Sequence, residues 1–247
     1  MTRQKAIGFL LAGLNTFACS YFGNYVFFLL QQQHGFGNRE NLLTCALHGL
    51  LYVPAAWAGG RFAERRGLTA SMKAGFAGMA VAMVAGGFLN SLAGVMLALV
   101  GWTIAMCFTW PALEAFATQG ESGDGMKRMV GIYNVVWSGC GGVMYFAGGM
   151  VFEGLGARSL FWIPAGLFVL QYALTHWLES QPLCSALPAP PKQQQPEEAA
   201  LHQPVPPQTF LRMAWLANPF AYIAINSFLA VVPGRSAENC RTRTSAS

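Results

Sequence analysis

Ala6-Ile-Gly-Phe-Leu-Leu-Ala-Gly-Leu-Asn-Thr-Phe-Ala-Cys-Ser-Tyr-Phe-Gly-Asn-Tyr-Val-Phe-Phe-Leu-Leu30 runs without a single charged side chain. As a helix rising about 1.5 Å per residue, this stretch is longer than the ~30 Å hydrocarbon core of a bilayer. Met1-Thr-Arg-Gln-Lys5 ahead of it imitates the basic start of a secretory leader. The apolar run is too long for a leader, so it reads as a retained membrane helix. Six further apolar segments follow, at Asn41–Gly60, Ala70–Asn90, Ala93–Ala117, Met129–Phe152, Ser159–Leu178 and Phe210–Val232. None alternates with the period of two that a membrane barrel requires, so the expected fold is an all-α polytopic membrane protein. Pro54, Pro111, Pro164 and Pro219 fall within or near the ends of these segments. Membrane helices tolerate proline there.

Composition supports this reading. Apolar residues make up 54% of the chain and charged residues 10%, against roughly a quarter charged in water-soluble domains. The net charge of +5 sits in the gaps between apolar segments. It therefore reads as a membrane-orientation signal, and nucleic acid is excluded as a partner. Of the six cysteines, Cys19, Cys45, Cys107 and Cys140 lie inside apolar segments and Cys184 and Cys240 outside. No pair has metal-finger or redox spacing, so they read as small packing residues. No cofactor or metal site is expected.

Arg3, Lys5, Arg61, Arg65, Arg66, Lys73, Lys127, Arg128, Lys192 and Arg212 fall on one side of the expected spans, and only Arg39 and Arg158 on the other. This bias predicts a cytoplasmic N-terminus in a cell (inner) membrane. Residues 1–179 form an expected six-helix bundle. Residues 180–208, rich in Pro and Gln, read as a cytoplasmic linker, and residues 209–233 as a seventh helix. The tail 234–247 carries Arg235, Arg241 and Arg243 where few basic residues are expected. It reads as non-native or disordered, the mark of a truncated chain.

Ala58-Gly-Gly-Arg-Phe-Ala-Glu-Arg-Arg-Gly67 returns 89 positions on as Ala147-Gly-Gly-Met-Val-Phe-Glu-Gly-Leu-Gly156. The copies close the second and fifth segments, on opposite membrane faces, as two inverted three-helix repeats would place them. Coincidence in a chain rich in Gly and Ala is the competing reading.

Gly60-Arg-Phe-Ala-Glu-Arg-Arg-Gly67 also resembles motif A of the major facilitator superfamily, through Gly60, Glu64, Arg65 and Gly67. Leu68 and Thr69 stand where that motif continues with basic residues. Gly139, Gly141, Gly142, Gly148 and Gly149 resemble the same family's glycine-rich motif in helix five, without its central proline. The resemblance implies an alternating-access transporter of the secondary type. It implies that Glu64 meets a second bundle and that Arg65 meets an acid near the end of helix four, with Glu114 and Glu121 as candidates. The residues alone allow another role for Arg61, Arg65 and Arg66, that of setting topology and touching anionic lipid. Gly60 and Gly67 are expected to permit a tight turn and close helix approach.

The resemblance places the solute path along helices one and four, flanked by two and five. Candidates are Asn15 and Asn24 in the first segment, and His48 and Tyr52, which share a face of the second. Trp102 and Met106 in the fourth and Tyr133, Asn134 and Trp137 in the fifth complete the set. Polar groups at such depth face protein or a water-filled path, so helix–helix bonding and solute contact both account for them. No Lys or Arg is central, which favours a neutral or amphipathic solute. Besides that solute and the lipid bilayer, the expected partner is either a second copy in a homodimer or a missing second half. The alternatives are a non-transporting scaffold and an intramembrane enzyme. His34, His48, His176 and His202 are scattered, with no metal-ligand or paired-carboxylate spacing, which argues against catalysis.

Overall fold

A computed structural model describes residues 2–89, 91–181, 209, 213, 220 and 223–233. Its helices are α1 (Arg3–His34), α2 (Asn38–Arg66), α3 (Leu68–Phe88), α4 (Leu92–Met106), α5 (Trp110–Thr118), α6 (Gly123–Leu155) and α7 (Ser159–Glu179), with α8 (Ile223–Pro233) after the linker position. Described residues contain no strand, and the protein is an all-α polytopic membrane protein. Among the described residues, five helical units are long and apolar enough to cross a membrane: α1, α2, α3, the α4–α5 unit Leu92–Thr118, and α6. Gln171 and His176 lower the hydropathy of α7, which is 21 residues long. The expected linker beyond residue 181, the tail 234–247 and most of the expected seventh helix lie outside the described residues.

Local chemistry sets the helix ends. The Thr2 and Ser91 hydroxyls accept from the backbone N–H of Lys5 and Gly94, capping α1 and α4. Gly67 and Gly156 end α2 and α6 at φ 89° and 77°, a region open to glycine at little steric cost. These two glycines are as far apart in sequence as Thr2 is from Ser91.

The α1 helix is the axis, packed on α5, α6 and α7. On the other side, α4 packs on α2 and α3, and α3 closes the circuit against α7. Phe22, Phe76 and Phe168 are fully enclosed in the core between these helices. Large apolar side chains point outward on α2 (Leu50, Val53, Trp57) and α6 (Val135, Phe146, Met150).

The expected fourth segment, Ala93–Ala117, is not one continuous helix. Pro111 has no N–H for the Cys107 carbonyl, and its ring crowds that carbonyl. The chain tightens through Cys107–Thr109, with Phe108 N–H donating to Ala105 O (3.1 Å) and Thr109 N–H to Met106 O (3.0 Å). The ladder resumes with Leu113 N–H on Thr109 O at 2.8 Å. The neighbours form a collar around the break. Ser71 Oγ donates to Phe108 O at 2.8 Å, and Asn15 Nδ2 donates to Thr109 Oγ1 at 3.5 Å. A Cβ on Gly59 would stand 2.4 Å from Cys107 O, and one on Gly75 2.4 Å from Thr109 Cγ2. The close approach made by α2 therefore belongs to Gly59. Gly60, expected at the turn, is helical with open space beside it, and Gly67 alone makes the turn.

Opposite the turn, Lys73 on α3 pairs with Glu179 at the end of α7, and Thr69 donates to the same carboxylate. The bond from Lys73 holds the Glu179 carboxyl below its usual range against the cost of partial burial. A depressed carboxyl adds stability above its unfolded pKa, and loses it as pH falls through its folded value.

Two outcomes follow for thermal unfolding in detergent, read by thiol labelling of the buried Cys19 and Cys107. Gly59→Ala should cost about 1–3 kcal/mol through overpacking, whereas Gly60→Ala should be neutral or slightly stabilising. Lys73→Gln should lower the midpoint at neutral pH by no more than an exposed ion pair contributes, roughly 0–1 kcal/mol. That difference should vanish once the medium is acid enough to protonate Glu179; a constant offset would contradict the pairing.

Candidate functional site

Four elements bring polar groups into the middle of the bundle. On α4, Thr103 and Trp102 occupy adjacent positions and are both buried. On α2, His48 lies on the inner stripe that also holds Thr44, Ala55 and Gly59. The imidazole stacks on the Trp102 indole, with centroids 5.6 Å apart and planes at 20°, and its Nδ1 lies 2.8 Å from Thr103 Oγ1. Tyr52, one turn on, lies 6.3 Å from the His48 ring. The far side of Trp102 meets α1, edge-on to Phe22 at 5.1 Å, and a Cβ on Gly23 would touch its ring at 3.3 Å. His48, Tyr52 and Trp102 thus form one cluster where α1, α2 and α4 meet.

A second polar group lies toward the helix break. Asn15 is fully buried; it donates to Thr109 and accepts from Cys19 Sγ at 3.7 Å. Thr109 passes its own proton to Met106 O at 2.8 Å. The α1–α6 seam is narrower. Tyr25 OH donates to Tyr145 O at 3.0 Å, and a Cβ on Gly148 would stand 2.4 Å from the Tyr25 ring. Among the described residues, two buried donors lack a partner that satisfies hydrogen-bond geometry, Asn24 Nδ2 and Trp102 Nε1. The indole N–H is directed at the Cys19 sulfur, a weak acceptor.

Charges are confined to the ends. Lys5 at the start of α1 pairs with Glu121 in the α5–α6 turn, both half-buried. A shallow cavity of about 230 Å³ opens beside this pair, lined by Thr2, Gln4 and Gln119 over Phe116. It is separate from the His48 cluster, and the pair already neutralises its charges.

A family model described as Major Facilitator Superfamily matches residues 6–237. The chain belongs to the major facilitator superfamily. No curated protein matches it at a significant level. Members of this superfamily are transporters, not enzymes; the protein is an integral membrane protein whose general function is membrane transport.

In this major facilitator protein Glu64 and Arg65, the charges expected of motif A, are exposed at the end of α2 and make no ion pair among the described residues. Glu121, one of the two acids expected for Arg65, is held by Lys5 instead. The α5–α6 turn folds back beneath the first turn of α1, and α2 ends elsewhere. Glu114, the other expected partner, is exposed on α5. Of the glycines expected to act together on helix five, Gly148 is closely packed and Gly141 and Gly149 touch α1, but Gly139 and Gly142 have open space.

The remaining path candidates divide. Met106 is buried beside the break, and Tyr133 is buried at the inner face of α6. Asn134 and Trp137 are exposed and join neither polar group. Thr103, Ser71 and Gly59 were not legible as site residues. Pro111 was the available signal for the break, since its missing N–H singles out the Cys107 carbonyl.

The Lys5–Glu121 pair yields a thermodynamic test. Removing one member should leave a half-buried charge alone, so Lys5→Met should lower the unfolding midpoint more than Lys5→Met with Glu121→Leu. Arg65→Gln should be additive with Glu121→Gln. Coupling between those two, and none between Lys5 and Glu121, would reverse the assignment.

Proposed function

We propose that this bundle is one moving body of an alternating-access secondary transporter for a small neutral or amphipathic solute. It would lie in the cell (inner) membrane with its N-terminus in the cytoplasm, on the side where Lys and Arg accumulate. The observation that carries the reading is the set of polar groups held at mid-span on α1, α2 and α4, with two of their donors lacking an oxygen or nitrogen acceptor among the described residues. Lipid offers such donors nothing, so their partner is a solute, water or a rearranged helix. With no Lys or Arg among them, the groups suit a neutral solute better than an anion.

Inverted repeats are the second part of the proposal, and several particulars support them. The caps Thr2 and Ser91, and the turns at Gly67 and Gly156, recur at the sequence interval of the two Ala-Gly-Gly copies. Within those copies, Gly59 brings α2 against α4, and Gly148 brings α6 against α1. Exchanging α1 with α4–α5, α2 with α6, and α3 with α7 preserves the main helix neighbours. Such nested repeats would build the bundle as one body with its polar site near the bilayer midplane.

Within this reading Arg65 and Glu114, neither in an ion pair among the described residues, would meet in another state of the cycle. The test uses the full chain in proteoliposomes with a panel of labelled neutral solutes. Uptake of at least one should saturate. Arg65→Glu should reduce it at least about tenfold, equivalent to about 1.4 kcal/mol, and adding Glu114→Arg should restore a good part. Absence of saturable uptake across the panel would count against transport by this chain. Uptake that Glu114→Arg leaves unrestored would remove only the pairing.

A further inference from the structure

The proton positions around His48 follow from a chain of two bonds. Thr103 has one hydroxyl proton, and it is directed to Leu99 O at 2.7 Å. Its oxygen can therefore only accept from His48 Nδ1, 2.8 Å away. A neutral ring with its proton on Nε2 would set two lone pairs against each other. The bond made by one ring nitrogen fixes the state of the other, so the neutral imidazole carries its proton on Nδ1 and presents a bare lone pair at Nε2. Nε2 has no partner among the described residues. No carboxylate stands nearby on the helix to hold a second proton, since Glu40 and Glu64 lie two turns or more away on α2 and α1 and α4 carry no acidic residue.

The ring stacked beneath it has the opposite deficit. Trp102 is 5% exposed, and its indole N–H meets no oxygen or nitrogen acceptor, only the weakly accepting Cys19 sulfur. A buried donor left unpaired costs roughly 1–3 kcal/mol. One stack therefore holds an acceptor with no donor and a donor met only by a thiol sulfur, where three helices meet. A hydroxyl both donates and accepts, and so does a primary carboxamide.

We propose that the His48–Trp102 stack is the polar anchor for the solute, with Nε2 of His48 accepting a hydrogen bond from a hydroxyl or amide N–H and Thr103 acting as the positioning residue that fixes the tautomer. The proposal rests on the transporter reading and adds the solute class: a neutral molecule rich in hydroxyl or amide groups, not one offering acceptors alone.

The test has two arms, both on the full chain. In lipid nanodiscs with ring-¹⁵N histidine, His48 Nε2 should give the signal of an unprotonated nitrogen. Sorbitol, glucose or propionamide should shift that signal saturably, and the acceptor-only dimethoxyethane should not. Thr103→Val should transfer proton population to Nε2. A wild-type neutral ring protonated at Nε2, or no saturable shift with any donor probe, would overturn the proposal. In proteoliposomes, His48→Leu should raise KM for a transported member of the panel by up to about tenfold with a smaller effect on kcat, the range of one hydrogen bond. His48→Gln, which keeps an acceptor near the Nε2 position, should recover part of the loss. An unchanged KM in His48→Leu would reject the anchor and leave transport standing. A saturable Nε2 shift without uptake would reject transport and leave the binding site standing.

Discussion

A backbone carbonyl without its N–H, in surroundings without water, must find another donor or be packed against something that accommodates it. This bundle meets that demand at Cys107–Thr109, where Pro111 interrupts the fourth span. The repair draws on three other helices, with Ser71 donating from α3, Asn15 bonding Thr109 from α1, and Gly59 letting α2 approach. Those contacts set how near α2 stands to α4. The same pairing of α2 with α4 lays His48 on Trp102, which stands five residues before Cys107 on α4. The helix break and the polar stack are thus consequences of one packing arrangement.

The middle and the ends of the bundle use different chemistry. At the ends, Lys5–Glu121 and Lys73–Glu179 tie α1 to the α5–α6 turn and α3 to α7, where headgroups and water make charge tolerable. Between them, polar side chains bond mainly to backbone carbonyls one turn earlier, as Thr16, Thr103, Cys107 and Thr175 do. Side chains that depart from this pattern merit functional attention. His48 bonds across helices, and the donors of Asn24 and Trp102 meet no oxygen or nitrogen acceptor among the described residues.

Much of the fold was legible because a membrane permits few solutions. Uncharged runs of bilayer length had to be helices, and Gly67 had to turn because its φ suits glycine. The candidate site was legible in part. His48 and Tyr52 share a face by spacing alone, and Trp102 stood on the expected fourth segment. That the indole meets the imidazole depends on the rotation of two helices about their axes, which spacing within either helix does not specify. The same uncertainty assigned the close contact to Gly60 when its neighbour Gly59 makes it. One residue is a rotation of about 100°, enough to move from a crowded seam to open space.

The sequence by itself determined the helicity, the membrane setting and the positions where polar atoms had to be explained, because the cost of an unpaired backbone or side-chain dipole in hydrocarbon is set by composition and length. Tertiary structure decided which partners those atoms obtain. Glu121 meets Lys5 and not Arg65, Phe108 O meets Ser71, and Nδ1 of His48 meets the Thr103 hydroxyl. These choices turn on interhelical distances resolved to a few tenths of an ångström, since a hydrogen bond or a glycine contact survives little more displacement than that. Such distances arise from the packing of all the helices together.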